Sequence, residues 1–190
     1  MEKLDKFCIG FNLDTDTQKL LREMHLFMYK EYPNNIKNPH INQDGNLPFH
    51  MTIIGGIKID SNLSSAYMGQ VLTQLKHFEK GASMPVLEDI KPARLYGNIL
   101  GVRLKFKAGS YVITGVPEKN IALAKMLGVL GFNFDATHHI SLCSVWGEYK
   151  GMDKVWPRFV ESIALKKREL LNLKLTPCVW KKGKDAWTEY

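Results

Sequence analysis

The 190-residue chain predicts an α+β fold of two pseudo-symmetric lobes, each a small, mostly antiparallel sheet with outer helices, around a central cleft. Three observations predict it. Short apolar runs with period-two alternation are interleaved with longer runs whose apolar residues recur every three to four positions, the marks of strands and helices. The order strand, helix, His-bearing strand, helix, strand occurs twice, over about residues 1–97 and 98–180. Each His-bearing strand carries the same tetrad, His-x-hydroxyl-apolar, as His50-Met51-Thr52-Ile53 and His139-Ile140-Ser141-Leu142. A repeat of about 90 residues is too long for a solenoid unit, so residues 1–190 are expected to form one bilobal domain, with 181–190 a polar tail.

The elements follow in order. "KFCIGFNLD" (6–14) is short, apolar and partly alternating, a strand. Leu20, Leu21, Met24, Phe27 and Met28 then line one face of a helix, and Thr15 with Gln18 has the spacing of a capping box. Residues 33–48, rich in Asn and Pro, read as a long polar loop. The first His strand, "HMTII", precedes a helix with Met68, Val71, Leu72, Leu75 and Phe78 on one face and Gly81 as its stop. Residues 84–96 and 99–107 are two strands turning at Gly97-Asn98. Val102, Leu104 and Phe106 alternate with Arg103, Lys105 and Lys107, a half-buried strand with one basic face. In the second half, "YVITGV" (111–116) is a strand, Pro117 opens a helix running to Gly131, and "FDATHHISLCSV" (134–145) is the second His strand. A helix over 153–170 buries Val155, Trp156, Phe159, Val160 and Ile163, and "LNLKLTPCVW" (171–180) closes as a strand.

Composition narrows the partners. With 45% hydrophobic and 24% charged residues the chain is ordinary globular material. It has no apolar run of the roughly 18 residues a membrane span needs and no signal-like N-terminus. Cys8, Cys143 and Cys178 are odd in number and far apart, which argues against a disulfide framework. The expected setting is therefore cytoplasmic, without membrane attachment. No clustered His/Cys ligand set and no Gly-rich phosphate loop is present, so neither a metal nor another cofactor is expected. A net charge of +7 favours an anionic partner: a nucleotide or oligonucleotide, RNA included. No obligate protein partner is implied.

The paired tetrads carry the chemistry. In a strand, residues i and i+2 share a face, so His50 goes with Thr52 and His139 with Ser141, and Met51, Ile53, Ile140 and Leu142 form the apolar backs. If the lobes pack as a pseudo-twofold pair, both polar fronts meet in the cleft. Ser and Thr together are 16 of 190 residues. On composition alone, a given His is followed by this pattern about 4% of the time, and two hits among six His arise in about 2% of shuffled chains. Cleaving a phosphodiester in line needs a base on the nucleophile and an acid on the leaving oxygen. Two imidazoles titrating near neutrality supply both, and hydroxyls can donate to the non-bridging oxygens where charge builds.

These two motifs resemble the signature of the 2H phosphoesterase superfamily, two His-x-Thr/Ser-apolar motifs on strands of two pseudo-symmetric lobes. The resemblance implies a metal-independent phosphodiesterase with His50 and His139 as the acid/base pair and Thr52 and Ser141 on the phosphate. It implies substrates among 2′,5′-oligoadenylates and cyclic oligonucleotide messengers, a viral antagonist of host immune signalling being one such role. The alternatives are an RNA-end 2′,3′-cyclic phosphodiesterase or RNA-processing enzyme, and a nucleotide- or RNA-binding module without turnover.

Lesser candidates surround them. Tyr96, Trp146, Tyr149 and Trp180 are each able to stack a base, though core or boundary packing explains each as well. Arg103 can contact phosphate or, with Lys105, form a solvated sheet face. His138 must leave the face of His139; His25 reads as boundary packing, and His40 and His77 as exposed.

Overall fold

A computed structural model describes residues 4–37, 48–79, 86–107, 131–134, 138–182 and 187–189. The described strands are β1 (Leu4–Leu13), β2 (His50–Asp60), β3 (Leu87–Leu95), β4 (Ile99–Phe106), β5 (Gly131–Phe134), β6 (His139–Ser144), β7 (Leu175–Lys182) and β8 (Trp187–Glu189). The described helices are α1 (Thr15–Glu31), α2 (Ser61–Glu79) and α3 (Glu148–Leu170). The class is α+β, as the sequence predicts.

The sheet is not divided as expected. All eight strands form one antiparallel sheet in the order β3-β4-β6-β2-β1-β7-β8, with β5 also on β2. The two His strands, expected to face one another from separate small sheets, are neighbours in this single sheet, in register at Met51↔Ile140. Periodicity fixes which face a residue takes but is silent on which strands pair.

One face of the sheet is the core. Phe7, Ile9, Phe11, Met51, Val102 and Ile140 are fully buried and pack in one cluster with Leu21 and Met28 of α1, Met68 and Val71 of α2, and Val155 and Phe159 of α3. Each such side chain contributes about 1.5–3 kcal/mol by leaving water, which anchors the helices on this side and fixes the face on which the His residues lie.

Several boundaries move. The N-cap of α1 is Asp14 rather than Thr15: its carboxylate accepts from Thr17 N at 3.0 Å, from the Thr17 hydroxyl at 2.7 Å and from Lys174 N at 2.8 Å. Burial pushes this carboxyl up, but the hydrogen bonds from Lys174 and Thr17 outweigh it and hold its pKa below the usual carboxylate range. The last helix begins at Glu148, ahead of the expected 153, and carries Pro157 inside it. The second His strand is shorter than 134–145, since Phe134 ends β5 and β6 starts at His139. Gly131, expected to stop a helix, opens β5. Within 181–190, expected as a tail, Lys181 and Lys182 end β7, and Trp187–Glu189 pairs with it as β8. The expected strand 111–116, the expected helix from 118 up to Gly131, His40 and most of the polar loop lie outside the described residues, as do the side chains of His77 and Tyr149.

Candidate active site

The site is a consequence of register. Met51 and Ile140 oppose one another and both point into the core. In an antiparallel ladder that places His50 across from Ser141 and Thr52 across from His139, all four on the opposite face. Each His position therefore stands across from the other tetrad's hydroxyl-bearing residue. The imidazoles are diagonal neighbours, about 7–8 Å apart at their Cα atoms, within reach of a group placed between them.

Each tetrad is backed by a glycine that the sequence reading passed over. Gly10 of β1 opposes Thr52, and Gly101 of β4 opposes Ser141, each directly after a register shift in its ladder. A Cβ on Gly10 would run into the backbone carbonyl oxygen of Met51, and one on Gly101 into that of Ile140. The two glycines thus let the neighbouring strands close onto the tetrads from outside. The signal that could have found them is plain in "FCIGFNL" and "NILGVRL": a glycine inside a strand pattern marks a bulge or close backbone approach.

The surroundings of the two His residues differ. His50 is half-buried. Its Nδ1 lies 2.8 Å from the Pro48 carbonyl oxygen and its ring centroid 4.7 Å from that of Trp180. Neutral His50 donates Nδ1–H to that carbonyl, which fixes its tautomer. The strand's entry is fixed by Gln18, whose amide takes Phe49 at both backbone groups: Nε2 donates to the Phe49 oxygen at 2.6 Å, and Oε1 accepts from Phe49 N at 2.9 Å. Gln18 thereby serves the strand rather than the helix cap expected of it. Thr52 Oγ1 is 3.5 Å from Cys8 Sγ. Burial pushes the Cys8 thiol up to about 11, against the opposing effect of the Thr52 contact. Cys8 therefore stays protonated at neutral pH, able to donate to Thr52 and leave the threonine O–H for a ligand.

His139 is buried, 7% exposed, and its Nε2 lies 3.4 Å from the Tyr96 hydroxyl. The two rings meet edge to face, centroids 5.5 Å apart. Tyr96 stands at the β3–β4 turn with φ +50°, its side chain exposed. Ser141 is exposed. Arg103 opposes His139 in the β4–β6 ladder and is exposed, so a guanidinium shares the tetrad face. Lys105, two residues on, is held by Glu88 at 2.9 Å.

The remaining candidates separate. Trp146 lies past the end of β6 with the Lys37 ammonium 4.4 Å from its ring centroid. His138 (φ +33°) sets its ring edge-on to Phe106, as a residue off the tetrad face should. His25 Nε2 is 3.2 Å from the Lys37 carbonyl oxygen. Two buried polar atoms near His50, Asn12 Oδ1 and Trp180 Nε1, have no hydrogen-bond partner among the described residues.

No family model matches the chain, and no curated protein does. Among solved structures it is similar to Usb1 of Kluyveromyces marxianus with uridine monophosphate, at TM-score 0.47 and 10% identity, over 98% of this chain and 96% of that one. A second structure of Kluyveromyces marxianus Usb1 gives TM-score 0.49 and 10% identity, over 99% and 97%.

Among the described residues no three His, Cys, Asp or Glu side chains converge to hold a metal ion, and no helix is long and apolar enough to cross a membrane. A hollow of about 540 Å³ lies at the N-terminus of α1, lined by Asp14, Thr15, Asp16, Thr17, Leu20, Glu169, Asn172 and Lys174, none of them a tetrad residue.

Proposed function

We propose that the chain is a metal-independent phosphodiesterase acting on a nucleotide or oligonucleotide, with His50 and His139 as acid and base and Thr52 and Ser141 on the phosphate. The observation that carries this reading is the Met51↔Ile140 register, which sets both imidazoles and both hydroxyls on one face. In the first step His50, its Nδ1 2.8 Å from the Pro48 carbonyl oxygen, acts as the base and takes the proton of the attacking water or ribose hydroxyl. As the new P–O bond forms, the bond to the leaving oxygen breaks and His139 gives that oxygen its proton. Thr52 and Ser141 donate to the non-bridging oxygens as their charge grows, with Arg103 as a further cation and Tyr96 at the rim beside His139. Two titrating groups paired with two hydroxyls favour turnover over binding alone, which needs no acid/base pair.

A panel of 2′,5′-linked, 3′,5′-linked, cyclic and 2′,3′-cyclic nucleotides tests the activity and resolves its linkage, the 2′,5′-oligoadenylates and cyclic messengers included. His50→Ala and His139→Ala are each expected to lower kcat by about 10²–10⁴-fold, with binding largely kept and with activity unaffected by chelators. Near wild-type turnover by both variants would sink the assignment.

A further inference from the structure

The proposed reaction asks His139 to protonate an oxygen of a ligand that arrives from solvent, yet His139 is only 7% exposed. Tyr96, whose hydroxyl oxygen is 3.4 Å from His139 Nε2, is 73% exposed. It joins a buried ring nitrogen to the solvent side of the sheet. The backbone that holds it there is strained. Tyr96 has φ +50°, a region in which a bulky L residue is an outlier. A turn alone would be served by Gly or Asn, which adopt positive φ readily. Such strain persists where the surrounding structure over-determines it, and it gathers at active sites. Here Leu95 pairs with Ile99, Ile99 pairs with Ser144, and Val145 N donates to the Asn98 carbonyl oxygen at 2.8 Å. The turn that carries Tyr96 is therefore tied to the end of the strand that carries His139.

We infer that Tyr96 is a catalytic residue whose hydroxyl relays the proton of His139 to the leaving oxygen. His139 begins as imidazolium. As the bond from phosphorus to the leaving oxygen breaks, its electron pair goes to that oxygen, which takes the Tyr96 hydroxyl proton. The Tyr96 oxygen takes the Nε2 proton in the same motion, so His139 ends neutral and Tyr96 ends unchanged. A tyrosine hydroxyl both donates and accepts, which is what a relay requires. Catalytic hydrogen bonds as long as the Tyr96–His139 contact tighten in the Michaelis complex. The inference rests on the phosphodiesterase reading and deepens its acid step: the group that stores the proton is distinct from the atom that hands it over. A stacking role for Tyr96 would need only its ring, whereas the relay needs its hydroxyl.

The test compares two leaving groups. A substrate from the panel leaves as a ribose alkoxide, which needs a proton. A nucleoside p-nitrophenyl phosphodiester leaves as p-nitrophenolate, which is stable without one. Tyr96→Phe keeps the ring and removes the hydroxyl of an exposed residue, so Tm should be unchanged. On the panel substrate, Tyr96→Phe is expected to lower kcat about 10²-fold with KM unchanged. On the p-nitrophenyl ester it should match the wild type, and His139→Ala should spare the ester in the same way. Full turnover of the panel substrate by Tyr96→Phe would overturn the relay and leave the phosphodiesterase reading standing. Equal losses on both substrates would also overturn it, since packing or positioning does not depend on the leaving group. So would a wild-type chain that cleaves the ester alone. A wild-type chain that cleaves neither substrate would sink the phosphodiesterase reading itself, and the relay with it.

Discussion

The two tetrads have the same pattern and different surroundings. On β2, His50 is locked by the Pro48 carbonyl and Trp180, and Thr52 by Cys8. On β6, His139 is the more buried imidazole, with the Tyr96 hydroxyl near its ring nitrogen, while Ser141 is exposed. A hydroxyl held by a neighbour is oriented before substrate arrives; an exposed one must lose rotamer freedom on binding. Under the proposed reaction, the β2 hydroxyl should carry more of the transition-state stabilisation.

The widest separation should come from the hydroxyls themselves. Thr52→Ala is expected to cost about 10²-fold in kcat, the loss typical of a preorganised donor, and Ser141→Ala about 10-fold. Measuring both against one substrate sharpens the comparison, and equal losses would break it.

The glycines test whether the two sides are supported alike. Gly10→Ala and Gly101→Ala each force a Cβ against a tetrad carbonyl and should cost about 1–3 kcal/mol, the usual penalty of overpacking. Thermal unfolding would show each as a drop in Tm of about 2–4 °C per kcal/mol for a chain of this size. Gly55→Ala is the control, since its Cβ would meet only the Thr52 methyl at 3.5 Å, an ordinary contact. A Gly55→Ala loss as large as the other two would show that strand glycines matter here only through backbone freedom.

The smallest effect concerns Gln18. Gln18→Leu removes both bonds to Phe49, each worth about 1 kcal/mol net. Because Phe49 adjoins His50, the variant should lower kcat several-fold and leave KM unchanged. A loss of Tm without loss of kcat would mean the clamp serves folding only.

Much of this was legible in the residues. The alternation of Val102, Leu104 and Phe106 with Arg103 and Lys105 marked β4 and its basic face. The stripe of Leu21, Met24 and Met28 marked α1. The tetrads told which side chains share a face, because side-chain direction in a strand depends only on parity. Other features were hidden for identifiable reasons. Gln18 looked like a cap because its spacing from Thr15 suits one; its true partner, Phe49, lies 31 residues away. The strand Trp187–Glu189 is short and polar, and becomes a strand through the β7 edge it pairs with.

The sequence by itself determined the face each tetrad residue takes, the apolar backs beneath them and the excess of positive charge. Tertiary structure alone decided that β2 and β6 are neighbours, that Gly10 and Gly101 stand behind the hydroxyls, and that the Tyr96 hydroxyl reaches His139. The physical reason is that parity and periodicity are local properties of the chain. Strand pairing is chosen by burying one shared apolar face, and that choice joins residues far apart in the sequence.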